Sequence, residues 1–153
     1  MLNQQLNQAI IYSQKLLAQY PRTVFEIEDK LKKKNCQPEI ITQVIKYLKD
    51  KNYLNDNEYG KTFLEFELKN RPCGRMLCYK KLVKKGISKD LASQVLDENY
   101  PDEKEIELAK ILADKKMREL KFKDKKTIYR KLGYYLNSKG FSSTTILEII
   151  ENF

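Results

Sequence analysis

The chain has 153 residues, of which 41% are hydrophobic, enough to fill a modest core, and 33% are charged, above the globular average of about 25%. No apolar run reaches the roughly 20 residues of a membrane span, and the N-terminus has neither a basic n-region nor a small-residue cleavage site, so no membrane segment or signal peptide is expected. The absence of histidine, the three cysteines and the charge of +9 disfavour a histidine-based catalytic site, a zinc site and a disulfide framework, and favour a cytoplasmic protein with an anionic partner.

Apolar residues at helical spacing predict a first helix over about 7–19, carried by Ala9, Ile10, Tyr12, Leu16 and Leu17. Tyr20-Pro21 ends it, because the residue before proline avoids the helical region. Thr23 and Glu26 form a capping-box pattern for a second helix whose buried face is Val24, Ile27 and Leu31. Asn35 suits a left-handed turn, and Pro38 suits the first turn of a third helix burying Ile40, Ile41, Val44, Ile45 and Leu48.

The pattern then repeats. Asn55-Asp56-Asn57-Glu58 reads as a capped helix start, followed by Tyr59, Phe63, Phe66 or Leu64, and Leu68. Gly60 stands where Ala9 stands in the first unit, which predicts a close helix contact. Arg71-Pro72-Cys73-Gly74 breaks the chain before a helix over about 75–85, and Ser88 caps the next, with Leu91, Ala92, Val95 and Leu96 apolar. Pro101-Asp102-Glu103 opens a helix bearing Ile106, Ala109, Leu112, Ala113 and Met117. Its acidic run, Asp102, Glu103, Glu105 and Glu107, reads as a solvated helix start. Asp124 caps a helix with Ile128, Leu132 and Leu136, Gly140 ends it, and Ser142 or Ser143 caps a last helix burying Ile146, Ile149, Ile150 and Phe153. Cys73 and Cys78 read as a turn cysteine and a core cysteine.

Three turns therefore align. Leu31, Leu82 and Leu136 coincide, and four residues on stand Asn35, Gly86 and Gly140, all tolerant of positive φ. Cys36, Ile87 and Phe141 follow as apolar staples, and Gln37, Ser88 and Ser142 as caps. Val44, Val95 and Ile149 then match, as do Ile45, Leu96 and Ile150. The expectation is an all-α fold of three tandem three-helix, helix-turn-helix-like repeats, divided at 1–54, 55–100 and 101–153, with an extended surface rather than a deep pocket.

These repeats resemble the bacterial RecX family. Leu16-Leu17-Ala18 with Thr23-x-x-Glu26 and Lys30-Leu31 looks like that family's first repeat. Tyr53-Leu54-Asn55-Asp56-x-x-Tyr59-Gly60 is similar to its G-Y-L-D-D-x-x-F-A join, with Asn52, Asn55 and Gly60 as departures. Arg71, Gly74 and Leu82-x-x-Lys85-Gly86-Ile87 resemble its middle repeat. Lys115-Lys116 and Lys131-Leu132-x-x-Tyr135-Leu136-x-x-Lys139-Gly140-Phe141-Ser142 resemble its last. The resemblance implies a curved, elongated array that binds a RecA-type recombinase filament on single-stranded DNA and modulates it, most often by inhibition, in DNA repair and recombination. It also implies that single-stranded DNA is met directly or through the filament.

No Walker-type or glycine-rich phosphate loop and no carboxylate cluster with metal spacing is present, so neither an enzyme nor a cofactor is expected. A monomer is expected. The contact candidates are bases gathered at turns: Lys32, Lys33 and Lys34; Arg71 and Arg75; Lys80, Lys81, Lys84 and Lys85; Lys115 and Lys116; and Lys121, Lys123, Lys125 and Lys126. Such groups neutralise phosphates or pair with acidic side chains. Arg71 and Arg75 can also grip a carboxylate or phosphate in two places. Tyr20, Tyr79, Tyr129 and Tyr134 are candidates for stacking on bases. The alternative is a helix-turn-helix protein that reads the major groove directly, although the helix after Ser88 carries Asp90 and Asp97 beside Lys89, and the helix after Ser142 has no Lys or Arg. A scaffold for unrelated proteins is a further reading.

Overall fold

The computed structural model describes residues 2–153, and among them there are helices and no strands. The helices are α1 (Leu2–Gln19), α2 (Val24–Lys33), α3 (Pro38–Asp50), α4 (Asp56–Asn70), α5 (Arg75–Lys84), α6 (Lys89–Asn99), α7 (Asp102–Leu120), α8 (Lys125–Ser138) and α9 (Ser143–Glu151). They pack as consecutive triplets, α1–α3, α4–α6 and α7–α9, each helix touching the other two of its triplet. Helix α1 begins five residues earlier than the apolar stripe suggests, in a mostly exposed turn from which only Leu6 packs against the first core.

The turn that repeats in the sequence repeats in the backbone. At each, the apolar residue after the turn donates its N–H back to the last core leucine: Cys36 to Leu31, Ile87 to Leu82 and Phe141 to Leu136. The preceding residue donates to the next carbonyl along, Asn35 to Lys32, Gly86 to Val83 and Gly140 to Asn137. These are Schellman motifs, and they need positive φ, which is 59° at Asn35, 94° at Gly86 and 81° at Gly140. A fourth such turn closes α3 at Asn52, with φ 58°.

Side-chain caps stand where the sequence puts them. Thr23 and Glu26 complete the capping box, and Asn55, Ser88, Asp124 and Ser142 each accept the N–H three residues on. Each such cap contributes about 1 kcal/mol. Gln37 makes no capping bond; Pro38 at the first turn already removes one orphan donor there.

The core falls into two clusters. One belongs to the first triplet, with Ile27, Leu31, Val44 and Leu48 at its centre. The other runs without interruption through the second and third triplets, from Leu64, Leu82 and Val95 to Leu112, Leu132, Leu136 and Ile149. Gly60 is buried where α4 crosses α6, and a Cβ there would come within 3.0 Å of Val95.

Two expectations are corrected, for Phe153 and Glu105, and one alternative is decided, for Phe66 and Leu64. Phe153 is 42% exposed, lying past the end of α9 at Glu151. Phe66 is 55% exposed, Leu64 being the member of that pair that enters the core. Glu105 is not part of a solvated helix start. It is 4% exposed, and it accepts the Arg75 backbone N–H (3.0 Å) and the Thr145 hydroxyl (3.1 Å).

Candidate interaction surfaces

Helix α4 packs on two faces. Gly60, Leu64 and Glu67 face inward, while Tyr59, Phe63 and Phe66, at the same spacing of four and three, line a cleft between the first and second triplets. The Tyr59 and Phe63 rings stack with centroids 6.1 Å apart and planes 12° from parallel. Leu17, Pro21, Arg22 and Tyr53 form the opposite wall of the cleft, whose volume is about 480 Å³. Burial around Tyr59, with the Glu26 and Asp56 carboxylates, holds its phenol above the ordinary value, so it stays neutral and offers a donor.

Beyond Phe66 the same cleft acquires charge from Arg71, Lys81, Lys84 and Lys85, with Glu26 and Glu67 among them. Lys81 is committed inside the protein: its ammonium lies 2.6 Å from buried Glu67. Desolvation is the largest single influence and works against that ammonium, but the Glu67 hydrogen bond and the negative groups around it together outweigh it and hold its pKa above the ordinary value. Lys85 approaches Glu26 at 3.8 Å, and Arg71 reaches Glu67 only at 4.0 Å with its side chain largely in solvent. Lys84 is exposed and has no ion-pair partner among the described residues.

Arg75 is held more firmly. Its guanidinium donates to Asp97 on α6 at 2.5 Å and to Asp102 on α7 at 3.3 Å, and its backbone N–H goes to Glu105. It stitches the second triplet to the third, and exposed Lys80 lines the same hollow.

The third triplet presents a different surface. Lys115, Lys121, Lys123, Lys125 and Lys126 are exposed where α7 gives way to α8, joined by Arg130 and Lys131. Aromatic rings alternate with them. Lys121 lies over Phe122 (4.9 Å to the ring centre), Lys125 over Tyr129 (5.3 Å), and Lys116 and Lys139 both approach Tyr135 (5.4 and 5.7 Å). Phe122 is 88% exposed and Tyr134 is 69% exposed. Lys116, Lys123, Lys131, Tyr134 and Tyr135 line one shallow hollow. Two of the acids nearby are occupied: Glu119 pairs with Lys116, and Asp124 caps α8, a bond to Thr127 that holds its carboxyl below the usual range. Phosphate neutralisation with base stacking needs this combination of free cations and open rings.

Lys32, Lys33 and Lys34 stand apart at the end of α2. Lys33 pairs with Asp29 at 2.7 Å and Lys34 lies over Tyr12, so this cluster fits a helix C-terminus meeting its own dipole. The structure thus gathers Arg71, Lys81, Lys84 and Lys85 along one cleft and Lys116 and Lys123 in another hollow, and leaves the α2 lysines on their own. The sequence gives Tyr59, Phe63, Phe66 or Leu64, and Leu68 as one apolar stripe; the structure divides it, sending Leu64 into the core and Tyr59, Phe63 and Phe66 to the cleft.

Comparison with known proteins bears on all three triplets. The model of the first three-helix domain of RecX matches residues 10–48, and that of the third three-helix domain matches residues 102–150. Regulatory protein RecX of Listeria welshimeri is 34% identical over 143 residues, which are 94% of this chain and 51% of that protein. Regulatory protein RecX of Caldanaerobacter subterraneus is 32% identical over 132 residues, 86% of this chain and 64% of that protein. The chain therefore spans about half the length of the Listeria relative. The crystal structure of RecX from Lactobacillus salivarius superposes with a TM-score of 0.93 at 25% identity, covering 98% of this chain and 97% of that one. A second crystal structure, of regulatory protein RecX, gives 0.87 at 25% identity, covering 99% and 74%. With both end domains matched in sequence and the whole chain matched in fold, the chain belongs to the RecX family of regulatory proteins.

Proposed function

We propose that this chain regulates a RecA-type recombinase without catalysing a reaction itself, by lying on the recombinase filament assembled on single-stranded DNA and lowering its strand-exchange and ATPase activity. The observation that carries the reading is the pairing of two chemically different surfaces on one member of the RecX family. The α4 cleft is aromatic, with cations at one end and carboxylates among them, which suits a protein surface. The α7–α8 face is cationic and aromatic, with bases outnumbering its acids, which suits a sugar-phosphate strand and its bases. A nucleoprotein filament offers both kinds of partner. Among the contact candidates, Arg71 and Lys84 act at the cleft, and Lys115, Lys121, Lys123, Lys125 and Lys126 act on the strand. Arg75 and Lys81 serve mainly to hold the fold, since each already has a carboxylate partner. The protein acts in the cytoplasm as a monomer.

Direct reading of duplex DNA by a helix-turn-helix is the weaker account. Helix α6 carries one lysine against two aspartates and a glutamate, and α9 carries no Lys or Arg, so neither offers donors for base edges.

The test adds the purified chain to RecA on single-stranded DNA and follows ATP hydrolysis. The proposal expects a fall at stoichiometric amounts that weakens as salt rises. An unchanged rate contradicts it, and stimulation makes the chain a positive modulator.

A further inference from the structure

Two nucleophiles lie outside everything described above. Cys73 sits in the break between α4 and α5, and Cys78 sits in α5. They flank the N-cap Gly74 as the residue before the cap and the fourth residue of the helix, the two positions that meet in a hydrophobic staple. The staple here is made of two thiols, with their sulfurs 3.1 Å apart and each residue 1% exposed. The Cys73 carbonyl accepts the Tyr100 hydroxyl at 2.7 Å, which fixes the break against the core.

We propose that Cys73 and Cys78 form a two-electron oxidation site that takes a hydroperoxide and closes to an intramolecular disulfide. The Cys73 sulfur attacks one peroxide oxygen, the O–O bond breaks, and the leaving oxygen takes up the thiol proton, so Cys73 becomes a sulfenic acid. Cys78 then attacks the Cys73 sulfur, an S–S bond forms, the S–O bond breaks and water departs. With hydrogen peroxide the two thiols together lose two electrons and two protons, and the peroxide is reduced to two waters. A dithiol such as dithiothreitol reverses the bond.

The surroundings assign the roles. The hydrogen bond between the two thiols holds Cys73 below its ordinary range against the opposing effect of burial, with the Lys81 ammonium assisting and the Glu67 carboxylate opposing. The same hydrogen bond, with burial, pushes the Cys78 thiol up. Cys73 lies in the break that has to open and is the sulfur an oxidant meets first, whereas Cys78 is held in α5 and resolves it. Because both are covered, the oxidant enters only when the 71–74 break opens, so the pair reacts more slowly than half-exposed Cys36, which has no thiol partner. The disulfide would tie the break to α5 beside Gly74, whose N–H reaches across to Lys139 of the third triplet.

The experiment exposes the unaltered chain to hydrogen peroxide, then unfolds it, alkylates the remaining thiols and maps the peptides. The expected result is early oxidation of Cys36, then joint loss of the Cys73 and Cys78 alkylation sites, with a linked peptide that dithiothreitol releases. In Cys78→Ser, Cys73 is expected to stop as a sulfenic acid trapped by dimedone. The proposal is overturned if both sites still alkylate after Cys36 is fully oxidised and exposure is prolonged severalfold. Oxyacids at both positions in the unaltered chain, without a linked peptide, would overturn it equally.

Discussion

The two joints between triplets share one plan and differ in one capping residue. At the first joint, the N-cap of α2, Thr23, donates its hydroxyl to the carbonyl of Lys85, the last residue before the Gly86 turn, at 2.6 Å. At the second, the N-cap of α5 is Gly74, and its backbone N–H donates to the carbonyl of Lys139, the matching residue before Gly140, at 2.8 Å. In both, a carboxylate from the next triplet's first helix accepts the following N–H: Asp56 from Val24 and Glu105 from Arg75. A threonine side chain spaces the first joint. Its absence lets the second close until backbone meets backbone, with a further bond from Met76 N–H to Gly140.

The cores follow from that difference. Close approach at the second joint merges the apolar interiors of the second and third triplets, while the first triplet keeps a separate cluster. The first joint is held by polar contacts and by Phe25 resting on Gly86. The array is thus one two-unit body with a third unit attached through a polar seam, and the aromatic cleft of α4 opens along that seam.

The comparison breaks most sharply at Gly74. A Cβ at Gly74 would overlap the Gly140 carbonyl, backbone against backbone, so Gly74→Ala is expected to lower stability by about 3 kcal/mol, read as the urea midpoint. The loss should fall on the second and third triplets together. Glu105→Ala leaves the Arg75 N–H and the Thr145 hydroxyl without their acceptor in a covered site and is expected to cost about 2 kcal/mol by the same measurement. Thr23→Ala removes both the α2 cap and the bond to Lys85. Its expected cost is about 1–2 kcal/mol, with faster hydrogen exchange confined to the first triplet.

Asp56 gives the smallest effect and the opposite sign. Burial raises its pKa despite the hydrogen bond from Val24, so the folded state holds the proton more tightly than the unfolded chain does. Its contribution is full below the ordinary carboxylate value and is lost as the pH rises through the folded value. Asp56→Asn keeps the acceptor and removes the buried charge. Its melting temperature at neutral pH is expected to match or slightly exceed the parent's, with a stability change within about 0.5 kcal/mol.

The sequence carried the local rules better than the joints. Caps, Schellman turns and the core stripe of α3 obey chemistry confined to a few neighbouring residues, so Thr23, Asn35, Gly86, Ser88 and Gly140 announced themselves. Glu105 and Glu67 did not. A carboxylate in a run of acids looks solvated, and its burial depends on partners 30 and 40 residues away at Arg75 and Thr145, or on Lys81 fourteen residues on. Gly74 likewise reads as a loop glycine until Gly140 is placed against it. Candidate contacts were legible as charge but not as availability. Lys84 and Arg75 look alike in sequence, yet the first is open to a partner and the second is bound to Asp97 and Asp102.

Native-state hydrogen exchange at increasing, sub-denaturing urea tests the central claim most directly. Amides of Leu31, Val44 and Leu48, buried in the first triplet's core, should converge on one opening free energy. Those of Leu82, Val95, Leu132 and Leu136 should share a higher one, although they lie in two different triplets. A single opening free energy for all of these amides, or a separation between the second and third triplets, would contradict the account.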